Sequence, residues 1–290
     1  MSGERLLLPL HIINAFVPPE TAELGKGNPA AVVPLTSEQA EIISAKEMQL
    51  VATEIGLSET TFIYPASGRG MYFIRWFTPA IEVDLCGHAT LAAASVVQRD
   101  MTELSCVEFI TIKGERLKVE KENPMTENPS AFTMEFPALC KHDNVTEEEA
   151  KLLCSGLGIS EGEVVELYRS DYDLVAKLSN KLGVQQVNPC FNTLSKLSCR
   201  GIIVTAPGDD TVRFVSRFFA PSSGIPEDPV TGSAHCVLAP LYLSVGENEP
   251  FQRAEQVSKR GGVVMVRLLS ASRVQLSGNV RLVSKGALYL

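Results

Sequence analysis

The chain has 290 residues, 45% of them hydrophobic and 21% charged, with a formal net charge of −8 at pH 7. That length and composition suit two domains of ordinary soluble character. The acidic balance and the lack of basic clusters argue against nucleic acid as a partner. No apolar run approaches the roughly 18 residues of a membrane helix. The stretch Leu6-Leu7-Leu8-Pro9-Leu10 is too short and too quickly polar for a signal peptide. Seven cysteines, widely spaced and without a Cys-x-x-Cys, point to reduced thiols in a cytoplasmic protein.

Taken in order, Ile12–Phe16 reads as a strand, and Gly27-Asn28-Pro29 leads into a second, short and apolar one. The periodicity predicts one helix capped by Ser37 and running to Ile55, with Gly56 as its stop. Thr60–Tyr64 is β-branched or aromatic and reads as a strand, with Ser58 and Glu59 just before it. Met71–Phe77 is a further strand, and Gly87 to about Val97 a helix of small residues suited to an enclosed position. Strands follow at 106–112 and 115–120, then a polar linker, 122–130. In the second half, Ala131–Phe136 alternates as a strand, and Thr146-Glu147-Glu148-Glu149 is a capping box opening a helix. Strands at 164–168, 174–178, 201–206 and 212–219 precede a loop rich in Pro and Gly and a helix from Gly232. Short strands at 263–268, 274–277 and 280–283 complete the chain. Many strands with few helices in each half predict α+β domains, each a curved sheet wrapped around a helix. The boundaries read as 1–124 and 130–279.

One arrangement occurs twice. Arg75-Trp76-Phe77-Thr78-Pro79 matches Arg217-Phe218-Phe219-Ala220-Pro221, and Gly87-His88-Ala89 matches Gly232-Ser233-Ala234. Acids precede each glycine, Asp84 in the first copy and Glu227 and Asp228 in the second. A strand, a loop and a helix starting at glycine leave backbone N–H groups free to meet an anion. A duplicated chain would aim two such helix starts into one cleft, where a small anionic molecule would bind.

Several side chains there could carry chemistry. Glu59, between a helix end and an apolar strand, could be tuned by partial burial for proton transfer, or be a solvated loop acid. His88 opens a helix whose N-terminus disfavours its cation, so a neutral hydrogen-bonding ring is expected. Cys86 beside a helix start would have a lowered thiol pKa. Asp228 lies in a turn before Pro229, and Ser233 either caps its helix or meets a ligand. Arg75 and Arg217 could hold an acidic ligand or be surface charges. A metal site uniting Cys86 and His88 with His235 and Cys236 is disfavoured, since adjacent helix residues point apart. Without Gly-x-Ser-x-Gly, a serine hydrolase fails.

The stretches Gly27-Asn28-Pro29-Ala30-Ala31-Val32, Ser58-Glu59-Thr60, Arg75–Pro79, Cys86–Ala92 and Glu227–His235, in this order, together resemble the PhzF family, and most closely its animal phenazine-biosynthesis-like members. The resemblance implies a diaminopimelate epimerase-like fold of two similar domains with the site between them, and a last strand, 280–290, that returns to the first domain. It implies a homodimer and a cofactor-free, metal-free isomerase moving a proton between carbons of an unsaturated cyclic acid. Glu59 would be the acid/base, with His88, Asp228 and Ser233 in support and Ser58, Cys86, Gly87 and Gly232 as substrate contacts. The epimerase relatives use a cysteine from each half. Cys86 stands at the first such position but Asp228-Pro229 lies near the second, so a mixed thiol and carboxylate racemase is the alternative. A non-catalytic interaction protein on the same scaffold is the other.

Overall fold

The computed structural model describes residues 6–122, 131–142, 145–246 and 249–290. Most of the expected linker, 123–130, therefore lies outside the described residues. The chain divides into two compact units: unit 1 is Met1–Thr21, Asn28–Glu135 and Ser277–Leu290, and unit 2 is Ala22–Gly27 and Phe136–Leu276.

Unit 1 begins with β1 (Leu7–Val17) and β2 (Asn28–Pro34), an antiparallel pair. The helix expected over Ser37–Ile55 is two helices, α1 (Ser37–Ile42) and α2 (Ala45–Ile55). Thr36 caps the first, in a capping box with Gln39, and Ser44 restarts the chain in a second box with Glu47. Periodicity could not show this break because apolar spacing continues through it, whereas Ser44 and Glu47 satisfy each other's backbone locally. Gly56 ends α2 in the left-handed region at φ 67°, where a Cβ would be strained.

The crossover through α1 and α2 lets β3 (Glu59–Pro65) pair parallel to β2, with Ala30 opposite Glu59. Then β4 (Met71–Phe77) pairs antiparallel to β3, and the two-residue β5 (Glu82–Val83) folds back on β4. α3 (Gly87–Asp100) follows, then β6 (Cys106–Ile110), β7 (Arg116–Lys121) and β8 (Ala131–Pro137). Alternate residues of the sheet serve two layers. Val33, Phe62 and Phe77 pack with Met48, Val51 and Ala52 of α2. The opposite face meets α3, which packs against β1, β2, β3, β6 and β7. Every α3 residue from His88 to Gln98 is buried. Small side chains such as Ala89, Ala92, Ala93 and Ala94 allow that enclosure, and Leu91, Val96 and Val97 add about 2 kcal/mol of burial each.

Unit 2 repeats this order after an extra helix, α4 (Glu147–Leu157), capped by Thr146 with Glu149. β9 (Val164–Arg169) and β10 (Asp173–Leu178) are antiparallel. Two short helices, α5 (Lys181–Gln186) and α6 (Phe191–Leu194), then cross to β11 (Gly201–Pro207), parallel to β10. β12 (Phe214–Ala220) is antiparallel to β11, and β13 (Ile225–Asp228) folds back on it as β5 does on β4. α7 (Gly232–Tyr242), β14 (Gln252–Gln256), β15 (Gly262–Ser270) and β16 (Arg273–Tyr289) follow. The parallel pairing of β12 with β14 repeats that of β4 with β6. Leu153 and Leu157 of α4, Val184 of α5 and Leu194 of α6 share a core with Leu174, Ile202, Val204 and Phe219.

The strands expected at 274–277 and 280–283 are one strand, β16. Its part in unit 1 lies between β8 and β1, with Leu7 opposite Tyr289, and completes an eight-stranded barrel around α3. Where β1 ends, Phe16 takes a left-handed φ of 58° at a bulge. Its ring fills the space that a Cβ on Gly278 would need.

Candidate active site

In unit 1 three elements bring five polar residues together. Asn28 is the first residue of β2 and Glu59 the first of β3, and these strands run parallel, so their starts are neighbours. Cys86 is the N-cap of α3, with no side-chain capping bond, and His88 follows one residue inside. The His88 ring stands at the centre. Its Nε2 is 3.1 Å from Glu59 Oε2, and its Nδ1 is 3.4 Å from Cys86 Sγ and 3.3 Å from Asn28 Nδ2. Ser58 Oγ in turn donates to Asn28 Oδ1 at 3.3 Å. Glu59 is therefore no solvated loop acid, its side chain being 12% exposed and that of His88 6%.

Glu59 Oε2 and His88 Nε2 are close in distance but not aligned for a hydrogen bond. Both are buried without any hydrogen-bond partner. Two buried polar atoms left so, side by side, are costly in a finished core and useful in a site that awaits a ligand.

The electrostatics correct two expectations. Burial works against the His88 cation, yet the charges available at Cys86 and then Glu59, with the contact to Cys86 Sγ, outweigh it and raise its pKa well above the usual value. The expected neutral ring rested on the helix N-terminus, a partial charge, whereas the carboxylate is a full one at contact distance. Burial, then the Glu59 carboxylate, push the Cys86 thiol up rather than down. Cys86 and Glu59, on opposite edges of the ring, are thus the two groups whose charge favours the imidazolium.

Unit 2 places Asp228, Gly232 and Ser233 on β13 and the start of α7. The polar groups around the Asp228 turn are closed on one another, while His235 Nε2 is buried without a partner. The Asp228 carboxylate accepts from Thr231 Oγ1. Gln256 of β14 donates to the Asp228 carbonyl at 2.6 Å and accepts from Thr231 N at 2.9 Å. Ser258 Oγ donates to the Pro229 carbonyl at 2.7 Å. Ser233 does not cap its helix: Thr231 is the N-cap residue, without a side-chain cap bond, and Ser233 is half-buried in the first turn. His235 donates from Nδ1 to the Thr231 carbonyl at 2.8 Å. Burial drives its pKa down to about 4 and that of Cys236 up to about 12. Both belong to the core of their unit.

The repeated arginines are engaged internally, which corrects their reading as ligand holders or surface charges. Arg75 meets Glu82 through Nε and a terminal nitrogen, both at 2.8 Å, and Arg217 meets Glu227 at 2.7 and 3.0 Å. Each guanidinium also lies over a phenylalanine of its own strand, Phe77 or Phe219. Glu82, rather than the exposed Asp84 paired with Lys113, is thus the counterpart of Glu227. A bidentate pair of this kind ties the short returning strand to its neighbour and fixes the turn before each helix.

Asn28, Thr231 and Gln256 were not singled out as site residues. Asn28 lay within a quoted motif, whose glycine and proline read as turn formers and masked it. Gln256 sits in β14, a strand whose mixed polar sequence gives no period-2 signal.

Comparison with known proteins gives a consistent result. The model of the PhzC-PhzF family, phenazine biosynthesis-like protein, matches residues 14–286. The chain is 37% identical to an uncharacterized isomerase of Halalkalibacterium halodurans, over 97% of this chain and 98% of that one. It is 33% identical to a phenazine biosynthesis-like domain-containing protein of Bos taurus, over 97% and 99%, so the likeness does not single out animal members. A PhzF-family crystal structure from Enterococcus faecalis superposes with a TM-score of 0.81 at 34% identity, covering 98% of this chain and all of that one. A predicted epimerase of Pseudomonas aeruginosa, 17% identical with a TM-score of 0.76, and a hydroxyproline epimerase of Agrobacterium vitis, 11% identical with a TM-score of 0.62, share the fold alone.

Proposed function

The chain belongs to the PhzC-PhzF family and is an isomerase, and we propose that it moves a proton between two carbons of a small unsaturated cyclic acid, with Glu59 as general acid and base. The observation that carries this reading is the buried Glu59 Oε2, unaligned with any donor and 3.1 Å from His88 Nε2. A general base needs a lone pair free to meet a C–H bond and a way to hold the proton it takes. The His88 cation bears on the second: a positive charge favours the carboxylate over the acid, so it drives Glu59 to give the proton back at the end of the transfer. At the ring's other edge the Nδ1–H of the cation can donate to Cys86 Sγ. The uncapped first turns of α3 and α7 suit a carboxylate ligand. Hydrogen bonds from Asp228 and Ser233 to the same substrate are proposed on the family resemblance.

The second reading is a racemase in which Cys86 is the base, and its contact with His88 at 3.4 Å favours it. The raised thiol pKa weighs against it, because little thiolate is then present near neutral pH. Solvent deuterium incorporation into a bound cyclic carboxylate tests the choice. Glu59→Gln should bind the acid and lose incorporation, while Cys86→Ala keeps most of it. The reverse pattern makes Cys86 the base and overturns the assignment.

A further inference from the structure

His88 has two neighbours at one ring nitrogen, and they make opposite demands on it. Cys86 Sγ stands 3.4 Å and Asn28 Nδ2 3.3 Å from His88 Nδ1, and all three residues are buried. Ser58 Oγ donates to Asn28 Oδ1 at 3.3 Å, which turns the amide nitrogen towards the ring. An amide nitrogen only donates, so it suits a Nδ1 that carries a lone pair. That is the neutral ring with its hydrogen on Nε2. In the cation Nδ1 bears a hydrogen, which Asn28 Nδ2 cannot accept and the Cys86 sulfur can. In both states Nε2 keeps its hydrogen, 3.1 Å from Glu59 Oε2. A change of state therefore alters the charge beside the carboxylate and leaves the group facing it the same.

Of the strands packed on α3, β3 brings Glu59 to the ring and β2 the uncharged Asn28. Among the described residues, no charge of β1, β6 or β7 bears on His88. His11 of β1 answers instead to Lys285, Asp100 and Arg99.

We propose that Cys86 and Asn28 are positioning residues with opposite effects on His88: the sulfur holds the cation, the amide holds the neutral ring, and together they set the pH at which the charge beside Glu59 is lost. Cys86 then acts through the imidazole, with no need to touch substrate or to take a proton from carbon. Loss of the charge removes the drive that returns the proton from Glu59. That consequence rests on the reading of Glu59 as base, whereas the titration of the ring does not.

Nitrogen-15 NMR of the imidazoles in the intact, ligand-free protein tests this across the pH range. The chain has four histidines, and His88→Gln identifies the signal of interest. Neutral His88 should carry its hydrogen on Nε2, whereas His235, which donates from Nδ1 to the Thr231 carbonyl, should carry it on Nδ1. Cys86→Ala should lower the proton affinity of His88 about tenfold, and Asn28→Leu should raise it by a similar factor. Cys86→Ser restores an acceptor and should recover part of the loss. If Asn28→Leu does not fold, Ser58→Ala, which frees the amide to turn its oxygen to the ring, should shift His88 the same way by less. A neutral His88 with its hydrogen on Nδ1, shifts of the same sign at positions 86 and 28, or no shift in either overturns the proposal. In deuterium exchange, the bend of the pH profile should follow the NMR midpoint from variant to variant. If the midpoints move as stated and the bend does not, the positioning holds and the reading of Glu59 as base is what fails.

Discussion

α3 of unit 1 and α7 of unit 2 are reached through the same structure and start in opposite chemical conditions. Each follows a strand whose arginine is bridged to the glutamate of a short returning strand, and neither has a side-chain cap. Ahead of α7, Gln256, Thr231 and Asp228 satisfy one another. Ahead of α3, Glu59 Oε2 and His88 Nε2 are left unsatisfied side by side. The scaffold fixed by the Arg–Glu bridge is thus indifferent to chemistry. What differs is whether neighbouring strands supply partners that use up the lone pairs. In unit 2 the Asp228 turn is closed by its own hydrogen bonds and His235 Nε2 is left alone without a partner, whereas in unit 1 an acid and a histidine are left so side by side, open to a ligand.

That contrast breaks first at Glu59. Glu59→Gln keeps the shape of the side chain, and deuterium exchange should fall about 10²–10⁴-fold, while the urea midpoint should drop only by what the charge of Glu59 contributes through His88. An equal loss of stability would mean that the cluster in unit 1 is structural, like that of unit 2.

The two first-turn histidines should respond to acid with opposite signs. His235 has a folded pKa of about 4 against 6.5 when free, so the unfolded chain takes up its proton first. Stability should fall as pH drops from about 6.5 towards 4, by roughly 3 kcal/mol in all. His235→Leu should flatten that part of the urea-unfolding profile. The folded pKa of His88 is raised, so its contribution is complete below about 6.5 and is lost as pH rises through the folded value. His88→Gln should therefore cost more stability at pH 6 than at pH 9. A cost independent of pH would show that Glu59 does not hold the imidazolium.

Gln256→Leu sharpens the view of unit 2. It removes the bonds Gln256 makes to the Asp228 carbonyl and to Thr231 N, at a cost of about 2 kcal/mol in thermal or urea unfolding. No change in stability would mean that the Asp228 turn does not depend on Gln256. The smallest effects belong to the shared scaffold. Arg75→Met and Arg217→Met should each cost about 1–2 kcal/mol, since the pairs are bidentate but not fully desolvated. Similar costs support equivalent roles, and a large difference between the two would undo the parallel.

Much of this was legible before any coordinates. The repeated Arg-x-Phe-x-Pro and glycine-started helices mark the duplication because each is a local device: a strand, a turn and a helix start. Leu57-Ser58-Glu59 is also local, and places an acid just where a strand begins. The helix over 37–55 was read as one because its apolar spacing hides the break at Ser44. β5 and β13 have two and four residues, too few to show a period, and α5 and α6 are similarly short. The partners of the arginines were hidden for the same reason: Glu82 and Glu227 face them only once those short strands fold back.

The sequence by itself determined the fold class, the duplicated strand–turn–helix and the residues able to move a proton, since side-chain identity, periodicity and turn chemistry are properties of neighbouring residues. Tertiary structure alone decided their charge states. Asn28, Glu59 and His88 are far apart in the chain, and only the parallel pairing of β2 with β3 beside α3 sets a full carboxylate charge 3.1 Å from the imidazole. Coulomb interaction depends on that distance and on burial, and neither is written in a run of residues. The same physics, with no acid beside it, holds His235 neutral in the first turn of α7.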